Sequence, residues 1–199
     1  MVSEKVEIIE KTICYSGFFS MSRLRLRHRK YDGEWSDTLT RELFERGHAV
    51  AVLPYDPVRD EVVLIEQFRV GALDFPGEPW LIEIVAGIIE EGERAEEVVS
   101  REAIEEAGCE IDQLERVCDY LVSPGGTTES TALFCGRVDS KSVGGIHGVV
   151  DEGEDIKVTV VSYEESVSLL ENGQIKSASP IIALQWLMLN RERLRRQWL

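Results

Sequence analysis

Three glutamates share one helical face in the middle of the chain, where they take over from a stripe of apolar residues. Residues Arg94 to Ala107 have helical periodicity, and Gly108 stands just past them, where a left-handed residue ends a helix well. At roughly 100° per residue, Ala95, Val98 and Val99 lie within about 60° of Glu102, and so do Glu105 and Glu106. One face therefore changes from oil to carboxylate without rotating. Like charges at i,i+3 and i,i+4 repel, and a buried carboxylate is costly unless it is paired or bound to metal. A hard divalent cation resolves that conflict, because magnesium prefers carboxylate and water oxygens. Periodicity alone leaves a second reading open, a solvated acidic face with Ile104 and Ala107 as the buried side.

The spacing decides between the two readings. From Gly87 to Cys109 the chain reads GIIEEGERAEEVVSREAIEEAGC. Its Gly87, Glu93, Arg101, Glu102, Glu105, Glu106 and Gly108 stand in the register G-x5-E-x7-R-E-U-x-E-E-x-G-U, where U is a bulky aliphatic. This resembles the box of the Nudix hydrolases. Ala103 and Cys109 are smaller than the aliphatics of that pattern, a departure that bears on packing and not on the acidic positions. The resemblance implies a loop-helix-loop that holds more than one Mg2+ or Mn2+ ion against a diphosphate. It also implies metal ligation by Glu102, Glu106 and the backbone carbonyl of Ala86, with Glu105 beside them in a catalytic role. Glu93 and Arg101 would form an orienting ion pair beneath the site, and Gly87 and Gly108 would be structural.

A proline about fifteen residues past the box marks the ADP-ribose pyrophosphatase subgroup of that family, and Pro124 stands fifteen after Cys109. The segment Asp151-Glu152-Gly153-Glu154-Asp155 resembles the acidic loop that supplies the base in that subgroup. Carried over by position, Glu152 is the general base and Glu154 a further metal ligand; Asp151 and Asp155 are rivals for the base. Gly148 and Gly153 would let such a loop hinge. Arg69 resembles a phosphate-contacting arginine, whose planar fork suits phosphate oxygens. Arg41 resembles a residue near the adenine, Phe18 or Phe19 would stack on the base, and Ile88, Ser123, Gly125 and Glu129 would line the ribose side. In this subgroup the N-terminal strands pair across a homodimer. The implied reaction is ADP-ribose + water → AMP + ribose 5-phosphate. The same chemistry on GDP-mannose or another nucleotide sugar is the alternative, and a non-catalytic nucleotide-sugar sensor is an alternative of another class.

These residues need a scaffold, and the rest of the chain supplies a mixed one. Arg23, Arg25 and Arg27 interleave with Leu24 and Leu26, a period of two that reads as a half-buried strand. Its basic run, Arg23 to Lys30, reads as a solvated strand face or an anion site. Asp32-Gly33 follows as a hairpin turn. His48 to Pro54, Glu61 to Phe68, Leu81 to Ala86, Ala132 to Val138 and Ile156 to Ser162 read as strands. Tyr163 to Glu171 and Pro180 to about Arg195 read as closing helices. The pattern is α+β, and the resemblance makes it the Nudix α/β/α sandwich with a mixed sheet, plus an N-terminal antiparallel β region. The expected division is 1–47, a dimer-forming and strand-exchanging β region, and 48–199, the hydrolase domain.

The totals exclude some partners. With 22 Lys and Arg against 37 Asp and Glu, the formal charge is −15, which disfavours nucleic acid and anionic membranes. A small phosphorylated substrate is still compatible, since bound cations reverse the local sign. Cys14, Cys109, Cys118 and Cys135 form no CxxC pair and read as core thiols in a reducing compartment. The first ten residues are acidic where a secretory leader is basic, so a cytoplasmic location is expected.

Overall fold

Strands buried on both faces read as continuous apolar runs, and β4 (His48–Asp56) and β5 (Glu61–Phe68) are such strands. The computed structural model describes residues 4–149, 151 and 153–199. Among these, the chain divides into two compact units, Met1–His48 with Leu121–Ser130, and Ala49–Tyr120 with Thr131–Leu199.

The larger unit is built on a mixed sheet. Its remaining elements are β6 (Trp80–Glu83), β7 (Val85–Ile89), α1 (Ala95–Ala107), β8 (Gln113–Leu121), β9 (Ser130–Arg137), β10 (Gly145–His147), β11 (Ile156–Ser162), α2 (Tyr163–Glu171) and α3 (Ala178–Trp198). The strand order is β10-β11-β5-β4-β9-β8, with β6 paired to β5 and β7 to β4. Alternation along the central strands sends side chains to opposite faces. Ala51, Leu53, Tyr55, Val62 and Leu64 pack with Ala183, Leu184, Leu187, Leu194 and Trp198 of α3. Val50, Val52, Val63 and Ile65 pack with Val98, Val99, Ala103 and Ala107 of α1. The result is an α/β/α sandwich, as the sequence implies.

The smaller unit carries a separate antiparallel sheet, β1 (Val6–Ser16), β2 (Ser20–His28) and β3 (Leu39–Glu45), in that order. The arginines of β2 meet glutamates across the strands: Arg23–Glu42 at 3.8 Å, Arg25–Glu10 at 3.3 Å and Arg27–Glu7 at 2.6 Å. The basic run is therefore a solvated, ion-paired strand face. Exposed pairs of this kind contribute about 0.2–1 kcal/mol each. Arg27 and Arg29 also stand over the Trp35 ring, at 4.9 and 4.3 Å.

Several sequence expectations are refined. The run Leu81 to Ala86 is two strands, because Ile84 breaks the pairing between β6 on β5 and β7 on β4. The last helix starts at Ala178, two residues before Pro180, since proline is tolerated in a first turn where its N–H has no helical partner. β3 is the strand that the hairpin turn at Asp32-Gly33 leads into, whereas β8 and β10 were not expected: β8 mixes charged and half-buried residues without clean alternation, and β10 has only three residues. Cys109 and Cys135 are core thiols, and burial pushes Cys109 up to about 12. Cys14, by contrast, is exposed on β1.

Two aspartates flanking the β4–β5 turn tie the larger unit together. Asp60, at φ 60°, accepts hydrogen bonds from the Tyr55 hydroxyl at 2.6 Å and from Arg191 Nε at 2.8 Å, which anchors α3. Asp56 is buried and accepts the N–H groups of Val58, Arg59 and Ser140, the Ser140 hydroxyl and the Arg59 guanidinium. Burial alone would raise the Asp56 carboxyl, but these donors outweigh it and hold the group at about 2. A folded-state value below the unfolded one, about 3.9, means stability present above about pH 4 and lost as pH falls towards about 2. We expect Asp56 to contribute on the order of 2 kcal/mol through this linkage. Asp56→Asn turns a donor towards the Ser140 N–H, so it should lower Tm at neutral pH and flatten the acid limb. Thermal melts across acidic pH check this, and parallel curves for variant and wild type would contradict it.

Candidate active site

The box residues of the larger unit lie on β7, the loop after it and α1. Gly87 follows Ala86 on β7 where the Glu102 side chain crosses the strand; a Cβ at Gly87 would collide with the Glu102 carboxylate and its Cγ. Glycine here is a requirement of close approach. Beyond it, Gly92 turns the loop at φ +92°, and Glu93 accepts the Glu90 N–H at 2.8 Å. Gly108 closes α1 at φ +61°, and its N–H reaches the Ile104 carbonyl at 3.0 Å.

Glu106 is the innermost acid, only 3% exposed, and it accepts the Ala86 N–H at 2.9 Å. Burial pushes its carboxyl up to about 8; the Ala86 hydrogen bond opposes this, while the charges of Glu102 and Glu154 add to it. Arg101 lies among three acids: Glu102 at 2.9 Å, Glu105 at 3.3 Å and Glu93 at 3.6 Å. Burial would lower the Arg101 guanidinium, but these carboxylates outweigh it and raise the group above its ordinary value. Of the two rival candidates for the buried side, Ala107 is buried but Ile104 is 55% exposed, whereas Glu106 is buried, so the inward face includes the acid.

Arg69, just after β5, pairs with Glu83 at 2.7 Å, and Gln67 donates to the same carboxylate at 3.4 Å. The Arg69 charge is felt at Glu106, where it opposes the upward shift. Glu83 is a residue that sequence reasoning missed; its signal was the single charge interrupting an apolar run. Ile88, on β7, is 42% exposed. Glu154 accepts the Val149 N–H at 3.0 Å. Glu152 lies outside the described residues.

A hard divalent cation fits these residues. The donors are carboxylate oxygens, the innermost is buried beside two like charges, and a glycine leaves room for a second. Among the described residues, no three Asp, Glu, His or Cys side chains converge at ligating distance, and Arg101 supplies the counter-charge to Glu102 and Glu105.

Several of the remaining candidates meet in a second cluster, within the smaller unit. Phe19 packs edge-on against Phe18 and Phe44, with centroids at 4.7 and 5.4 Å. Arg46 stands over the Phe19 ring at 5.0 Å and pairs with Glu129 at 3.4 Å. The turn containing Ser123, Pro124 and Gly125 is fixed by Gly126 and Thr127 N–H groups donating to the Ser123 carbonyl, and Phe44 N–H donates to the Gly126 carbonyl at 2.8 Å. Phe18 is 88% exposed, and the Arg41 guanidinium donates to the Thr40 carbonyl. Sequence reasoning missed Phe44 and Arg46, whose partners lie some eighty positions away at 127–129.

Comparison with known proteins gives the family. The NUDIX domain profile matches residues 45–183. The chain belongs to the Nudix family, and it is a Nudix hydrolase. It is 52% identical to the ADP-ribose pyrophosphatase of Escherichia coli K12, over 97% of this chain and 92% of that protein. The ADP-ribose pyrophosphatase of Haemophilus influenzae is 42% identical over 98% of this chain and 91% of its own length. A GDP-mannose pyrophosphatase of Cronobacter sakazakii is 35% identical, over 94% and 97%. The fold is shared with a solved ADP compounds hydrolase at a TM-score of 0.72 and 22% identity, over 99% of this chain and 98% of that one. Nudix hydrolases generally use divalent metal ions. Among the described residues no helix is long and apolar enough to cross a membrane.

Proposed function

We propose that this protein hydrolyses ADP-ribose to AMP and ribose 5-phosphate with Mg2+, acting in the cytoplasm as a homodimer. The observation that carries the chemistry is the buried Glu106 carboxylate beside Glu102 and Glu154. The substrate follows the relatives: the ADP-ribose pyrophosphatases are 52% and 42% identical to this chain, the GDP-mannose pyrophosphatase 35%.

Glu102, Glu106, Glu154 and the Ala86 carbonyl would hold the metal ions, with Glu105 next to them. Bound divalent cations would screen the diphosphate and make a coordinated water easier to deprotonate. Glu152 takes the proton from the attacking water as the new P–O bond forms and the bridging P–O bond breaks. Arg69, held by Glu83, offers its fork to a phosphate. Ile88, Arg41, Phe18, Phe19, Ser123, Pro124, Gly125 and Glu129 would bind the nucleoside and ribose. Residues 1–47 would form the dimer region. β1 is an edge strand with Ile8, Ile9, Ile13 and Tyr15 exposed, and such edges invite pairing. A pure sensor has no need of so complete a carboxylate set.

Comparison of kcat/KM tests the substrate assignment. We expect ADP-ribose to be preferred over GDP-mannose by at least about tenfold, well within what pocket contacts can supply. Equal or reversed preference would transfer the assignment to GDP-mannose, to which the 35% identical relative is directed by name.

A further inference from the structure

Glu154 carries the same charge as the α1 carboxylates, so contacts other than charge attraction must hold it in place. Two contacts fasten its stem to the end of α1. Gly148, at φ +106°, donates its N–H to the Glu105 carbonyl at 3.2 Å. That carbonyl belongs to the last helical turn, whose oxygens need partners from outside the helix. Beside it the His147 ring stands on Gly108: a Cβ there would strike His147 Cε1 and come within 3.2 Å of both ring nitrogens. The ring is itself oriented, with Nε2 donating to the Gly144 carbonyl at 3.0 Å, and the His147 backbone is in register with buried Ile156.

The chain of contacts continues outwards. Val149 N–H donates to Glu154 Oε2 at 3.0 Å, and Glu154 N–H returns to the Val149 carbonyl at 3.3 Å. A Cβ on Gly148 would lie 2.7 Å from the Glu154 Cβ, so the stem and Glu154 are in close contact. β10 is a weak anchor without this, having three residues and an exposed Ile146.

We propose that His147 is a positioning residue for the hydrolysis: its ring, seated on Gly108, fixes the stem that holds Glu154 beside the α1 carboxylates. This rests on the hydrolysis proposed above. Loss of the ring should leave nucleotide binding alone and spoil the alignment of Glu154, an error that lowers kcat more than it raises KM.

The test uses the full-length protein as wild type, His147→Ala and His147→Gln. Gln keeps a side-chain N–H for the Gly144 carbonyl. We expect His147→Ala to lose about ten- to a hundred-fold in kcat for ADP-ribose with KM within about twofold of wild type, and His147→Gln to recover part of the loss. In metal-free protein, hydrogen exchange of the peptide containing Gly148 should speed up in His147→Ala. A kcat within about twofold of wild type in His147→Ala, or unchanged Gly148 exchange, would overturn the proposal. Equal losses in the Ala and Gln variants that follow a matching fall in Tm would also overturn it, as ordinary packing. If wild type fails to cleave ADP-ribose, the substrate reading fails instead, and the exchange measurement still judges His147.

Discussion

Replacing Glu106 by glutamine should cut turnover of ADP-ribose by at least about 10³-fold while raising the melting temperature. The two effects share one cause. Glu106 is buried, with its carboxyl pushed up by burial and by the charges of Glu102 and Glu154. Glutamine has nearly the same shape, and its carbonyl still accepts the Ala86 N–H, so the local fold survives. What disappears is a carboxyl whose upward shift on folding costs stability at neutral pH, and whose charged form a divalent cation would favour. Sites that spend stability on function show this opposition. A variant that lost activity and stability together would point to a packing role, and one that kept activity would remove Glu106 from the chemistry. Steady-state kinetics beside thermal melts give both readings on one sample.

Glu152→Gln should have the second-largest effect, a loss of about 10²–10⁴-fold, the range a positioned general base contributes. Its role is carried over from the acidic run Asp151 to Asp155. On either side of it, among the described residues, Val149 and Glu154 exchange hydrogen bonds. A base also has a signature in pH: the wild-type kcat should fall on the acid side as the base becomes protonated, and that limb should vanish in Glu152→Gln. If Glu152→Gln stays near wild type, the proton acceptor is another acid of the run, with Asp151 and Asp155 next to test. Metal binding by the apo-protein should change little in this variant, whereas in Glu106→Gln it should weaken, so the two substitutions are separable.

Much of this was legible in the sequence because it is local. The register of Glu93, Arg101, Glu102, Glu105 and Glu106 is a property of one loop and one helix, and 3.6-residue periodicity places those side chains without knowledge of the rest of the fold. Strands β4, β5 and β11 were legible for a similar reason, being apolar runs bounded by turns. The contacts that were missed join distant parts of the chain. Glu83 reaches Arg69 only because β6 lies antiparallel to β5, with Gln67 opposite Leu81. Phe44 meets Thr127 through an isolated bridge, and His147 meets Gly108 through a strand of three residues. None of these leaves a periodic trace. The face of α1 was ambiguous from periodicity because Ile104 and the glutamates compete for the inward side; the cross-strand approach of Glu102 to Gly87 is what resolves it.

The central claim is that the acids of α1 serve a divalent cation in cleaving a nucleoside diphosphate sugar. The most direct test is product formation from ADP-ribose by the purified protein with Mg2+, with chelator, and after Mg2+ is restored. We predict AMP and ribose 5-phosphate in equal amounts, none with chelator, and full recovery on adding Mg2+ back. Cleavage at an undiminished rate in chelator, or no AMP under any of these conditions, would contradict it.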